Sequence, residues 1–139
     1  MPNVINIQTE EDTKSFARSF AKNLKAGDII LLYGDLGAGK TFFTREVIRT
    51  LTKENEIVPS PTFTILQTYE NTNITISHYD LYRLETPDEA FELDIDNALK
   101  NHITIIEWPQ IIEEYINNNF SPTKLIFNNT NDNRTITIE

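Results

Sequence analysis

The stretch that most limits what this chain can fold into is Gly34-Asp35-Leu36-Gly37-Ala38-Gly39-Lys40-Thr41. It fits G-x-x-x-x-G-K-[ST], a loop whose backbone N–H groups cradle phosphate oxygens. Such a loop needs a buried strand before it and a helix after it. The run Ile29-Ile30-Leu31-Leu32-Tyr33 is short and apolar, as a buried strand is, and Thr41 to Leu51 has helical composition without Gly or Pro. The glycines let the backbone turn tightly and bring its N–H groups against the ligand. The helix beginning near Lys40 adds unpaired N–H groups and the positive end of its dipole. In this motif Lys40 reaches the β- and γ-phosphates and the Thr41 hydroxyl binds Mg²⁺.

A chain of 139 residues predicts one domain, 1–139. It holds no cysteine, which excludes a disulfide framework, a thiolate zinc site and a Cys nucleophile. Met1 to Glu11 has neither a basic n-region nor an apolar h-region, so no signal peptide is expected. No apolar run approaches the ~20 residues of a membrane helix, and a cytoplasmic protein is expected. The net charge is -9, with 12 Lys+Arg against 21 Asp+Glu. Such a surface repels a polyphosphate backbone, which argues against autonomous nucleic-acid binding and favours a basic partner surface.

Taken in order, Val4 to Ile7 alternates weakly and predicts a short edge strand. Thr9 with Asp12 resembles a capping box. Phe16, Ala17, Phe20, Ala21 and Leu24 form one apolar stripe, so a helix is expected over Glu10–Lys25 with Gly27 as its stop. The two Phe residues are expected in the core rather than under an adenine. Pro59 and Pro61 exclude helix around Val58 to Phe63. Thr64 to Tyr69 and Ile74 to Tyr79, around the turn Asn71-Thr72-Asn73, read as a hairpin and hence an antiparallel part of the sheet. Pro87 to Ala98 reads as one helix with acidic residues at its positive end. Its Leu93 and Ile95, with Leu99, are expected to pack, while Glu92, Asp94 and Asp96 face water. Ile103 to Ile106 is a strand, Gln110 to Asn117 a short helix and Asn117 to Asn119 a loop. Lys124–Phe127 and Arg134–Ile138 flank a polar turn, Asn128 to Asn133, as a closing hairpin.

A nucleotide hydrolase also needs a carboxylate for Mg²⁺ and a group that orients water. In α/β sheets these sit at strand C-termini, where the ligand crevice lies. Asp80 and Glu107 each follow a predicted strand, so each can be that acid. Ser60 and Thr62, in the Pro-rich loop, can serve as a segment ordered by nucleotide. Trp108, the one tryptophan, can cover a nucleotide, dock a partner or fill the core. His78 reads first as a strand residue and only distantly as a catalytic base. Arg83 can neutralise phosphate or contact a partner.

Four segments in this order, GDLGAGKT, SPTF, HYDLYRL and IIEWP, resemble the TsaE (YjeE) family, P-loop ATPases needed for threonylcarbamoyladenosine formation on tRNA. The resemblance covers nearly the whole chain. It implies an α/β, three-layer P-loop NTPase fold with a mixed parallel/antiparallel sheet flanked by helices. It also implies ATP/ADP and Mg²⁺ as cofactors, and the TsaD and TsaB proteins as partners, with tRNA met only through the complex. Carried onto this chain, Gly37, Ala38, Gly39, Lys40 and Thr41 would bind the nucleotide phosphates, and Phe42 would belong to the nucleotide-binding set beside them. Thr41 and Glu107 would hold Mg²⁺ with Asp80 close by, and Lys40, Asp80, Glu107 and Thr62 would be the catalytic set. Ser60, Pro61, Thr62 and Phe63 would form the switch-like loop, and Trp108 would be needed for function. The family also places base and ribose near Thr9, Glu10 and Arg134. Phe42 departs from relatives, which often have Thr there. Two alternatives remain open: a self-sufficient small-molecule kinase, and a nucleotide-dependent regulatory module that does not hydrolyse. A GTPase is disfavoured, because no N-K-x-D guanine motif is present.

Overall fold

A computed structural model describes residues 3–130 and 133–139. It contains β1 (Asn3–Ile7), α1 (Glu10–Lys22), β2 (Ile29–Tyr33), α2 (Lys40–Leu51), β3 (Leu66–Asn71), β4 (Ile74–Asp80), α3 (Pro87–Phe91), α4 (Ile95–Asn101), β5 (Ile103–Glu107), α5 (Glu113–Asn119), β6 (Thr123–Thr130) and β7 (Asn133–Ile138). A 3₁₀ turn, Pro109–Ile111, precedes α5. The strands form one sheet in the order β1-β7-β6-β2-β5-β4-β3. Its centre, β6-β2-β5-β4, is parallel; β3 on one side and β7 and β1 on the other are antiparallel. The mixed sheet expected from the sequence is what forms.

The three layers follow from the strands' period of two. In β2, Ile30 and Leu32 face one side, where they pack with Ala17 and Ala21 of α1 and Phe43, Val47 and Ile48 of α2. Ile29 and Leu31 face the other side, with Ala90 of α3, Ile95, Ala98 and Leu99 of α4, and Ile116 of α5. A parallel sheet covered on both faces needs such continuous apolar strands. Phe16 stacks with Phe43, and Phe20 and Phe127 meet Phe43 edge-on, Phe127 at 5.6 Å. They belong to the core, as expected. Thr9 caps α1 through a reciprocal bond pair with Asp12.

Several boundaries differ from expectation, each for a local reason. α1 ends at Lys22 rather than Lys25, capped by Asn23. Gly27 lies beyond it in a turn, its N–H donating to the His102 carbonyl. The helix expected over Pro87–Ala98 is two helices. Asp94 takes a left-handed conformation (φ 58°) between them, which breaks the run and still lets Ile95 bury completely. Tyr79 Oη donates to the Leu93 carbonyl freed by that break. Asp96 is only half-exposed, held by Lys100 and Tyr115. The strand expected at Thr64 starts at Leu66, because Ile65 sits at φ 70° and closes a turn onto Pro61. It then runs through Asn71, which leaves Thr72 and Asn73 as the turn. α5 continues through Asn117 to Asn119, read from sequence as loop. β6 and β7 extend through most of the expected polar turn, of which Asn131 and Asp132 lie outside the described residues.

The P-loop leaves β2 through Gly34, whose φ of 142° suits glycine. A Cβ there would lie 2.7 Å from the Phe127 carbonyl oxygen and 3.0 Å from its Cβ. At Gly37 a Cβ would meet nothing within 4 Å, though φ is 79°. Both sites carry a conformational cost of about 1–3 kcal/mol for alanine, and Gly34 adds a backbone clash. Gly34→Ala should therefore lower the melting temperature by several degrees more than Gly37→Ala does, as read by differential scanning calorimetry.

Candidate functional site

Register builds the site. Leu32, one residue before the end of β2, pairs with Glu107 at the end of β5, and Glu107 pairs with Asp80 at the end of β4. The P-loop leaves the sheet one residue beyond that level, so Lys40 and Thr41 at the start of α2 return onto the two acids. Thr41 Oγ1 donates to Glu107 Oε1 at 3.2 Å. Glu107 and Asp80 are 3% and 6% exposed. Burying two carboxylates this close together is costly unless cations and donors face them. Lys40 is one such cation and is itself 4% exposed. Its burial lowers the ammonium pKa from the usual lysine range, while Glu107, Asp80 and Asp35 act in the opposite direction.

The Lys40 Nζ donates to the Gly34 carbonyl at 2.5 Å and lies 3.7 Å from the centre of the Trp108 ring. Trp108 follows Glu107 directly and stands in a left-handed conformation (φ 55°), which turns its indole over the P-loop lysine. Tyr82 packs against the same indole, ring centres 4.9 Å apart. Trp108 is half-buried at the site, so the structure excludes the core reading.

The Pro-rich loop reaches the site through one residue. Thr62 Oγ1 donates to Asp80 Oδ2 at 3.3 Å and shares a 2.8 Å hydrogen bond with Ser60 Oγ. The other Asp80 oxygen accepts the Tyr82 backbone N–H. Pro61 is buried, and Phe63 is 76% exposed with the Arg83 guanidinium over its ring.

A cleft of about 780 Å³ opens beside the P-loop. Thr9 and Glu10 at the start of α1, Ala38, Gly39 and Phe42 from the P-loop, and Arg134 of β7 all line it. Gln8, Thr13, Asn128 and Asn129 complete its polar lining. The structure thus brings together the residues the resemblance assigned to base and ribose. Lys40, Thr41, Asp80 and Glu107 do not line this cleft; they form the adjoining cluster, joined to it through Gly39. Among the described residues no group of three or more His, Cys, Asp or Glu has metal-holding geometry. The hard oxygen donors present, the Thr41 hydroxyl and two carboxylates, nevertheless suit Mg²⁺, which takes one or two carboxylates and leaves its other positions to phosphate and water.

Sequence reasoning missed His78 as a site residue. It is fully buried, and its Nε2 lies 2.7 Å from Glu107 Oε2. A polar residue two positions before a strand-end acid, hence on the same face, was the available signal. Its contact with Glu107 depends on the pairing of β4 with β5.

A family model described as Threonylcarbamoyl adenosine biosynthesis protein TsaE matches residues 7–136. A protein of Rickettsia bellii (strain RML369-C), named tRNA threonylcarbamoyladenosine biosynthesis protein TsaE, is 49% identical over 120 residues, 86% of this chain and 80% of that protein. The protein of the same name from Bacillus subtilis (strain 168) is 40% identical over 107 residues, 76% of this chain and 66% of its own length. The crystal structure of Bacillus subtilis YdiB superimposes with a TM-score of 0.74 at 30% identity, over 99% of this chain and 84% of that one.

The Lys40–Trp108 contact makes the single tryptophan a reporter. A phosphate that draws Lys40 Nζ away from the indole should change Trp108 emission. Titration with ADP or ATP should give a saturable fluorescence change, and Lys40→Ala should abolish most of it. An emission unchanged at nucleotide saturation would separate Trp108 from the phosphate loop.

Proposed function

Because this chain belongs to the TsaE family of threonylcarbamoyl adenosine biosynthesis proteins, we propose that it is an ATP-binding and ATP-hydrolysing accessory protein of tRNA threonylcarbamoyladenosine modification. It acts in the cytoplasm with the TsaD and TsaB proteins, as one P-loop nucleotide-binding domain over residues 1–139. It meets tRNA only through them and does not itself transfer the threonylcarbamoyl group.

The observation that carries the ATPase reading is the convergence of the α2 N-terminus, Glu107 and Asp80 beside a cleft of nucleotide size. In this reading Thr9, Glu10 and Arg134 hold the base and ribose, and Phe42, which lines the same cleft, flanks the nucleotide. The amides of Gly37 to Thr41 and the Lys40 ammonium hold the phosphates, where aligned N–H groups and a cation offset anionic charge. Thr41 and Glu107 would hold Mg²⁺, with Asp80 close by. A Mg²⁺ held there would supply positive charge to offset what develops on the phosphate oxygens. Thr62, already bonded to Asp80, links the Ser60–Phe63 loop to the state of the γ-phosphate position.

The hydrogen bonds of this cluster involve no arginine among the described residues. An arginine finger accelerates such reactions by ~10³–10⁵, so the chain alone should bind ATP and turn it over slowly. Partner proteins docking at Trp108 and the Ser60–Phe63 loop supply the missing exclusion of water. Steady-state phosphate release, alone and with TsaB and TsaD, tests this. The expected outcome is a low basal rate, a large rise with partners, and loss of both in Lys40→Ala. Equal rates with and without partners would overturn partner stimulation. Phosphoryl transfer to a small acceptor by the chain alone would identify a kinase instead.

A further inference from the structure

The histidine beneath Glu107 has a role that neither the P-loop nor the family description assigns. In β4, Ile76, His78 and Asp80 point to one face of the sheet, and Ile76 packs in the core under α1 and α2. The neighbouring strand presents Ile105 and Glu107 to the same face, with His78 paired to Ile105 and Asp80 to Glu107. His78 is therefore the diagonal neighbour of Glu107, one pleat deeper, and fully buried. An apolar residue would occupy that place at lower cost, since a buried polar group is tolerated only with a partner. His78 has one: Nε2 lies 2.7 Å from Glu107 Oε2, while Nδ1 is buried with no hydrogen-bond partner. A carboxylate only accepts, so Nε2 carries the hydrogen. A ring placed to stitch the core together would ordinarily satisfy both nitrogens. Here the ring uses only the nitrogen that faces the carboxylate.

The two oxygens of Glu107 are thereby divided. Oε2 is held from below by His78, and Oε1 is left facing the Thr41 hydroxyl at the start of α2. We infer that His78 is a positioning residue that fixes the Glu107 carboxylate so that one oxygen is presented, together with Thr41 Oγ1, to the divalent cation of the bound nucleotide. This rests on Glu107 being the Mg²⁺-binding acid proposed above. Without the histidine, Glu107 can turn both oxygens away from α2, and the cation loses an oriented ligand. Loss of an outer partner of a metal ligand typically weakens metal binding 10–100-fold.

The test measures ADP binding by calorimetry as a function of Mg²⁺ concentration, for the whole chain and two variants. His78→Leu fills the space without a donor. His78→Gln keeps an amide N–H that reaches as far as Nε2. The Leu variant should need about tenfold or more Mg²⁺ for half-maximal enhancement of ADP binding, with Mg²⁺-free ADP affinity within about twofold of wild type; Gln should restore most of the Mg²⁺ response. A Leu variant whose Mg²⁺ dependence overlays that of wild type, while wild type binds Mg²⁺-ADP, would overturn the positioning role and leave the nucleotide reading standing. A wild-type chain that binds no ADP at any Mg²⁺ concentration would overturn the nucleotide reading itself. Should His78→Leu not fold, imidazole ¹⁵N resonances of the wild-type protein decide. A hydrogen on Nε2 supports the inference, and a hydrogen on Nδ1 alone overturns it.

Discussion

Everything at the site depends on the register of three parallel strands. β2, β5 and β4 bring Leu32, Glu107 and Asp80 into one row across the sheet. A slip of one residue in β5 would reverse the faces of its side chains, sending Glu107 to the α3–α5 side and burying its carboxylate among Tyr79, Leu81 and Ile112. The apolar alternation of the strands therefore does more than make a core. Ile103 and Ile105 belong to the layer under α1 and α2, and Glu107 continues that alternation to the edge of the P-loop. Hydrophobic packing along the strand sets the phase, and the phase sets the chemistry.

The cleft and the acid cluster are held by different parts of the molecule. Asp80 and Glu107 come from the rigid parallel centre. The cleft is walled by the start of α1 and by the antiparallel β6–β7 pair. Between them the P-loop belongs to both, with Gly39 in the cleft and Lys40 under Trp108. Ile65, a β-branched residue at positive φ beside the Thr62–Asp80 bond, is strained at about 1–3 kcal/mol. That strain sits where a loop would have to rearrange, in contrast to the fully packed strands next to it.

Much of this was legible in the residues. The strand, loop and helix of the P-loop carry their own signals: an apolar run, obligatory glycines and an uninterrupted helical stretch. Asp80 and Glu107 were legible as acids at strand ends, because strands are short and their ends are marked by the next turn. The break at Asp94 was not, because the tertiary gain of burying Ile95 overrode a run that reads locally as one helix. The later start of β3 was not, because nothing in the side chain of Ile65 announces a positive φ. His78 escaped for a deeper reason. Its partner lies on another strand, and only register says which residue is diagonal to which. The cleft residues Thr9, Glu10 and Arg134 came from family resemblance alone; no spacing among them in the chain points to a shared wall.

One feature of the sheet order bears on how the molecule is made. β1 has a single neighbour, β7, and β2 lies between β5 and β6. During synthesis the first two strands emerge long before any strand they pair with. Pairings this distant in sequence are slow to close, since the loop entropy is lost before the contact rewards it. The P-loop is thus exposed on the ribosome as a glycine-rich segment on an unpaired apolar strand, a state open to chaperones and to aggregation. The wall of the cleft formed by β7 arrives after the other described strands. Competence to hold a nucleotide therefore waits until β7 has emerged and paired with β6 and β1.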